Sequence, residues 1–208
     1  DENYYYLIEE YLCGESLYAR IERTGSLQTG ELIRLGIELC RIMNYLHSFK
    51  PNPILYLDLH PGNLLICREQ LKLIDFDQAA LASLSQERSV CYGTKGFAAP
   101  EQYEGGTLDE RTDIYAIGAL LYYMGTGHAP EGEIKAGQGS CRGDLYILMG
   151  RCLRTEKKER CQSVREVLEA LEKLEARIFA ERHIPLLRIA AAGSRSGIGV
   201  THTALGAV

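Results

Sequence analysis

The chain has 208 residues, 46% of them hydrophobic and 25% charged, a globular balance that excludes an intrinsically disordered protein. Its formal charge is −5 and it carries no long basic run, which argues against nucleic acid or an anionic membrane surface as the main partner. Seven scattered cysteines form no C-x-x-C pair, so reduced thiols of a cytoplasmic protein are the simplest account, and no apolar stretch reaches the ~20 residues that span a bilayer.

In chain order, Tyr4 to Glu9 is an aromatic and β-branched run that predicts a strand, broken by Gly14. Ser16 can cap a short helix through Arg23. From Thr29 to Phe49, apolar residues recur at Leu32, Leu35, Leu39, Ile42, Met43 and Leu46, the spacing of a helix with one buried face. Pro51 and Pro53 stop it. Leu64 to Cys67 and Leu71 to Ile74 flank a polar turn and predict a hairpin. Residues 77 to 107 read as a long ordered loop, which in a compact domain is usually functional. Asp109 to Thr126 predicts a central apolar helix, followed by loop to Gly143 and helices over Asp144 to Arg154 and Ser163 to His183. Pro185 is expected to break the last helix, and Leu186 to Ala192 to form a buried strand. The chain starts on Asp1 and stops at Val208 without a terminal signal, so both ends are expected to be cuts.

The segment Tyr56-Leu57-Asp58-Leu59-His60-Pro61-Gly62-Asn63 sets a carboxylate and an amide five residues apart, ahead of the first hairpin strand. The second hairpin strand leads into Asp75-Phe76-Asp77. Singly, such Asp and Asn residues are routine turn formers. Two acids and an amide at the open ends of one hairpin suit phosphoryl transfer, in which one acid handles a hydroxyl while oxygen ligands hold Mg²⁺.

These motifs, with those that follow, resemble the eukaryotic-type protein kinase family. Tyr56-Leu57-Asp58 and Asn63 stand where H-R-D and its Asn are expected, and Asp75-Phe76-Asp77 where D-F-G is expected. Ala99-Pro100-Glu101 matches A-P-E, and Asp113-Ile114-Tyr115-Ala116-Ile117-Gly118 looks like the start of the family's central helix. Ile8 to Leu12 looks like the last strand of the N-lobe running into the adenine-binding hinge, and the resemblance covers about residues 4 to 175. It implies a mainly α fold with short β-hairpins, the C-terminal lobe of a serine/threonine kinase, with the N-lobe missing except for its last strand. Residues 1 to 182 would form that lobe.

By the same resemblance Asp58 is the expected catalytic base or hydroxyl-orienting acid, and Asn63 and Asp75 the expected Mg²⁺ and ATP ligands. The backbones of Glu10 and Leu12 would bind adenine, Thr94 would contact Asp58, and Asp113 and a Glu101–Arg160 pair would be structural. The implied partners are ATP and a protein substrate presenting a Ser or Thr hydroxyl.

The sequence departs from the family at four places. Leu57 replaces the arginine that usually reads a phosphate on the activation loop, so control by that route is not expected. His60 replaces a lysine and can donate to a phosphate without a lysine's permanent charge. Asp77 replaces the flexible glycine of D-F-G, and Glu9 stands at the usually apolar gatekeeper place. No G-x-G-x-x-G loop and no V-A-I-K lysine precede the hinge, so the chain by itself is expected to be inactive. Two other readings stay open: a small-molecule phosphotransferase of the aminoglycoside or choline kinase type, which suits His60 and Asp77, and a pseudokinase scaffold.

Residues 183 to 208 are expected to be a linker and the start of a second domain. The predicted strand, then the glycine-rich turn Gly193 to His202, is the layout that cradles phosphate on backbone N–H groups. It resembles the opening of a P-loop ATPase of the partition or septum-site type, with Gly197, Gly199 and Thr201 in matching places and Val200 where the lysine belongs.

Overall fold

Ser16 begins the helical part of the chain. The computed structural model describes residues 10–85, 93–131, 134 and 143–195, and beyond residue 180 the backbone alone. The expected strand at Tyr4 to Glu9, the gatekeeper Glu9 and the turn residues Gly197 to Thr201 lie outside the described residues.

A short strand β1 (Glu15–Ser16) leads directly into α1 (Leu17–Thr24). The Ser16 hydroxyl accepts from the Ala19 N–H at 3.1 Å, satisfying one of the orphan donors at the helix start. Helix α2 (Thr29–His47) buries Leu32, Leu35, Leu39, Met43 and Leu46, the face its periodicity predicts. A strand β2 (Ile54–Leu55) and a 3₁₀ turn (Pro61–Asn63) precede the hairpin β3 (Leu64–Cys67) and β4 (Gln70–Leu73). β1, β3 and β4 form one antiparallel sheet, with Leu64 opposite Leu73 and Glu15 opposite Ile66.

The stretch read as a long loop holds more order than its small and polar residues suggest. It contains β5 (Ala80–Leu81), a turn of helix α3 (Ala82–Ser85) and α4 (Pro100–Glu104). β5 pairs antiparallel with β2, Leu55 opposite Ala80, a pairing absent from the sequence reading because neither segment is long enough to show a period.

Helix α5 (Glu110–Thr126) is central: from Thr112 to Gly125 every residue but the half-buried Tyr115 is buried. The Asp109 carboxylate caps it by accepting from the Arg111 N–H. Gly127 closes it in the left-handed conformation at φ 84°, and a side chain there would also strike the Gly25 carbonyl oxygen at 2.1 Å, so only glycine fits. Helices α6 (Gly143–Cys152) and α7 (Val164–Arg195) follow, with a 3₁₀ turn (Lys157–Glu159) between them. α2 packs on α5 and α7, and α5 on α6, which gathers the main core between these four helices. A second, smaller apolar cluster joins Leu55, Leu57 and Leu108, with Ala80 and Ala82 packed against it.

Two expectations are overturned. Pro185 does not break the last helix and Leu186 to Ala192 is not a strand: α7 runs through Pro185 to Arg195. A strand needs a neighbour to satisfy its backbone, whereas a helix satisfies its own, and Leu, Arg and Ala are among the best helix formers.

Candidate active site

Asp113, at the first turn of α5, organises the site from below although it is almost fully buried. Its carboxylate accepts from the backbone N–H groups of Tyr56 at 2.9 Å and Leu57 at 2.8 Å, and from Nε2 of His47 at 2.9 Å. A buried charge is tolerable only when it is met in this way. These bonds fix the chain that leads into Asp58. They also hold Leu57 at φ 67°, a left-handed conformation that a branched side chain avoids unless its surroundings impose it. The Leu57 carbonyl is held from the other side by Nε2 of Gln102 at 2.8 Å.

Asp58 follows. Its Oδ1 accepts from the Thr94 hydroxyl at 2.9 Å, across 36 residues of sequence. Its Oδ2 lies 3.7 Å from Nε2 of His60. His60 Nδ1 accepts from the Gly62 N–H at 3.1 Å, so a neutral His60 carries its proton on Nε2, the nitrogen facing Asp58. Gly62 permits this: a Cβ there would stand 2.8 Å from the imidazole. Asn63 is buried and donates from Nδ2 to the Asp58 carbonyl at 3.2 Å, which leaves its amide oxygen as the atom able to serve a cation.

The Asn63 carbonyl accepts from the Ile74 N–H at 3.0 Å, tying the turn before the hairpin to the end of β4, where Asp75 lies. Asp75 takes φ 61°, and its Oδ1 accepts from the Asp77 N–H at 3.3 Å. Phe76 stands edge-on to Tyr56, ring centroids 5.3 Å apart, and the Tyr56 hydroxyl donates to the Ile74 carbonyl at 2.5 Å. Burial pushes the Tyr56 hydroxyl well above the ordinary phenol range, so it stays a donor. Glu10, Leu12, Leu65, Lys72, Asp75 and Phe76 line one open cleft of about 510 Å³. The expected hinge residues and one expected metal ligand therefore share a cleft.

Thr94 is positioned by the segment behind it. The N–H groups of Phe97 and Ala98 both donate to its carbonyl at 3.0 Å, and Gly96 turns the chain at φ 87°. Further along, Arg160 meets Glu101 in a two-pronged pair, Nη1 to Oε1 at 2.7 Å and Nη2 to Oε2 at 2.8 Å. The same guanidinium donates to the carbonyls of Arg154, Thr155 and Arg111. All five guanidinium donors are thereby used on a fully buried side chain.

Chemically, a carboxylate held by a hydroxyl and beside an imidazole can take or orient a proton. Among the described residues no cluster of three His, Cys, Asp or Glu side chains is poised for a metal ion. The donor set Asn63 and Asp75 instead fits Mg²⁺, which takes one or two protein oxygens and fills its remaining places with phosphate and water. His47 and Gln102 carry no sequence motif, and Tyr56 is legible only as a member of the motif around Asp58; each acts through a partner remote in sequence.

Residues 1–182 match the protein kinase domain family. Similar curated proteins include a probable serine/threonine-protein kinase of Clostridium acetobutylicum, 26% identical over 82% of this chain and 29% of its own length. Serine/threonine-protein kinase A of Synechocystis is 28% identical over 84% of this chain and 39% of its own. Integrin-linked protein kinase 1 of Arabidopsis thaliana is 29% identical over 92% and 42%. The chain thus spans well under half the length of these relatives.

Proposed function

The chain belongs to the protein kinase domain family, and on that premise we propose that the protein transfers the γ-phosphate of ATP to a Ser or Thr hydroxyl of a protein substrate. The observation that carries the reading is the 2.9 Å bond from Thr94 to Asp58, which couples the expected catalytic acid to the segment ending at Glu101. That segment, tied down by Arg160, favours a protein substrate over the small molecule of an aminoglycoside-type phosphotransferase.

In this reading residues 1–182 are the C-lobe with its hinge and the last strand of the N-lobe, and residues 183–208 lie beyond it. Asp58 accepts the substrate hydroxyl's hydrogen bond and then its proton, while Thr94 keeps the carboxylate turned towards the substrate. His60 presents its Nε2 proton to a phosphate oxygen. Asn63 and Asp75 would hold Mg²⁺, which when bound would neutralise phosphate charge. The backbones of Glu10 and Leu12, which share their cleft with Leu65, would hold the adenine edge. ATP and a protein are the partners, nucleic acid is not, and the cytoplasm is the expected location. Among the described residues no helix is long and apolar enough to cross a membrane.

The test is phosphate transfer from ATP and Mg²⁺ to a Ser/Thr peptide library by the full-length protein. Asp58→Asn should abolish turnover while leaving nucleotide affinity, and Asp75→Asn should weaken Mg²⁺-dependent nucleotide binding. Near-normal turnover in both variants would refute the assignment.

A further inference from the structure

Two cysteines of the helical core have no part in the chemistry above. Cys152 ends α6, and Cys161 follows Arg160 in the turn before α7. Their sulfurs are 3.9 Å apart, with Cys152 donating to Cys161, and both are buried. The segment between them, Leu153 to Arg160, includes both the side chain that grips Glu101 and the Arg154 and Thr155 carbonyls that cradle it. Cys152 cannot shift far, because its Cβ lies against α5 where Gly118 leaves no room: a Cβ on Gly118 would meet it at 2.5 Å. A closing movement would therefore fall on the Cys161 side, between the hydrogen-bonded Arg160 and Gln162.

We propose that Cys152 and Cys161 form a reversible dithiol–disulfide pair, oxidised by a peroxide, and that the bond braces the segment holding Arg160. Bond formation requires the sulfurs to close from 3.9 Å to about 2 Å. A shift of that size lies within the turn between the 3₁₀ helix and α7. Both sulfurs are fully buried, so peroxide reaches them through an opening of the turn before α7; Arg151, Arg154 and Glu159, their neighbours in sequence, line an open surface cavity of about 720 Å³. The hydrogen bond from Cys152 holds the Cys161 thiol below its ordinary range, against burial and with help from the Arg151 charge. The same bond, with burial, pushes Cys152 up. Cys161, as the sulfur on the moving side, is assigned the attack.

The steps balance. The Cys161 thiolate attacks a peroxide oxygen, an S–O bond forms, the O–O bond breaks, and hydroxide leaves and takes up the thiol's proton as water. Cys152 then attacks the sulfenic sulfur, the S–S bond forms, the S–O bond breaks, and its proton departs with the hydroxide as a second water. Two thiols and one hydrogen peroxide give one disulfide and two waters, two electrons passing from sulfur to the peroxide. An external dithiol reverses the change.

The experiment exposes the folded full-length protein to hydrogen peroxide, blocks remaining thiols with an alkylating reagent, and maps tryptic peptides without reduction. Cleavage after Arg151, Arg154, Arg160 and Arg165 separates the two cysteines, so a linked pair of peptides, Cys152 to Arg154 with Cys161 to Arg165, identifies the bond. The expected result is that linked pair, lost again on treatment with a dithiol. Oxidation confined to exposed Cys13, or Cys152 and Cys161 both alkylated after unfolding, would overturn the proposal. Amide hydrogen exchange is then compared between oxidised and reduced protein. Slower exchange at residues 153–160 supports the bracing role, and unchanged exchange with the bond in place refutes it. Neither readout depends on phosphate transfer. Cys152→Ser should remove the linked peptides, and if that variant does not fold, mapping of the unaltered protein still decides.

Discussion

Replacing Arg160 by Met tests the anchor of the segment that carries Thr94. The substitution keeps the length and apolar stem of the side chain and removes its five donors. Arg160 is fully buried and Glu101 is 10% exposed, so the carboxylate left behind cannot recover its lost partner from water. Breaking a buried pair from one side costs about 3–5 kcal/mol. The carbonyls of Arg111, Arg154 and Thr155 also lose a donor, so the upper end of that range applies. Against a typical domain stability of about 5–15 kcal/mol this is a large fraction. Urea unfolding followed by circular dichroism measures it directly. Glu101→Leu combined with Arg160→Met supplies the control, because it removes the stranded charge together with the cation that had matched it. The double variant should recover part of the loss, leaving a coupling energy of at least about 1 kcal/mol. Thr112, which donates to Glu101 Oε1 at 3.0 Å, is left with a single bond to replace. A loss below about 1 kcal/mol for Arg160→Met would refute the reasoning, as would a double variant no more stable than the single. Arg160→Lys should rescue little, since an ammonium cannot reproduce the two-pronged geometry.

Four other outcomes are expected. Leu57 packs with Leu55 and Leu108 against β5 and α3, so Leu57→Ala should cost about 2–3 kcal/mol in the same unfolding assay, and phosphatase treatment of the active protein should leave its turnover unchanged; a large loss traced to phosphate on Ser83, Ser85, Ser89 or Thr94 would count against this. Thr94→Ala should lower turnover on peptide substrates several-fold with little change in nucleotide affinity, and Thr94→Ser should restore most of it, because the bond to Asp58 is made by the hydroxyl. Burial works to raise the Asp109 carboxyl, but hydrogen bonds from Arg111 and Lys157 outweigh it and hold the group at about 2 against an ordinary 3.8. A folded value below the unfolded one gives stability that is present above about pH 4 and lost as pH falls towards 2. The stability gap between the protein and Asp109→Asn should therefore shrink over that window, and a gap independent of pH would exclude the ion pairs as its source.

Elements with a local signal are legible in the amino-acid order alone. The apolar stripe of α2 has a helical period, α5 is a continuous apolar run, and β3 and β4 are short apolar segments around a polar turn; each signal lies within one segment and survives without knowledge of the partner. The order Asp58, Asn63, Asp75, Thr94, Glu101 was readable for the same reason, since motifs of this kind are fixed in spacing. Tertiary structure decided what lies between these pieces. Asp113 holds Tyr56 and Leu57 from 57 and 56 residues away, and Gln102 reaches the Leu57 carbonyl from 45 residues away, distances over which no sequence pattern repeats. β2 and β5 are two residues each and exist only because they pair with one another. Leu57 reads in the sequence as a lost arginine, and only the fold supplies what replaces it, an apolar nest built from β2, β5, α3 and Leu108. Leu186 to Ala192 shows the limit from the other side: a short apolar run is compatible with strand or helix. The choice depends on whether a neighbouring strand is there to take its backbone hydrogen bonds, and α7 takes them internally.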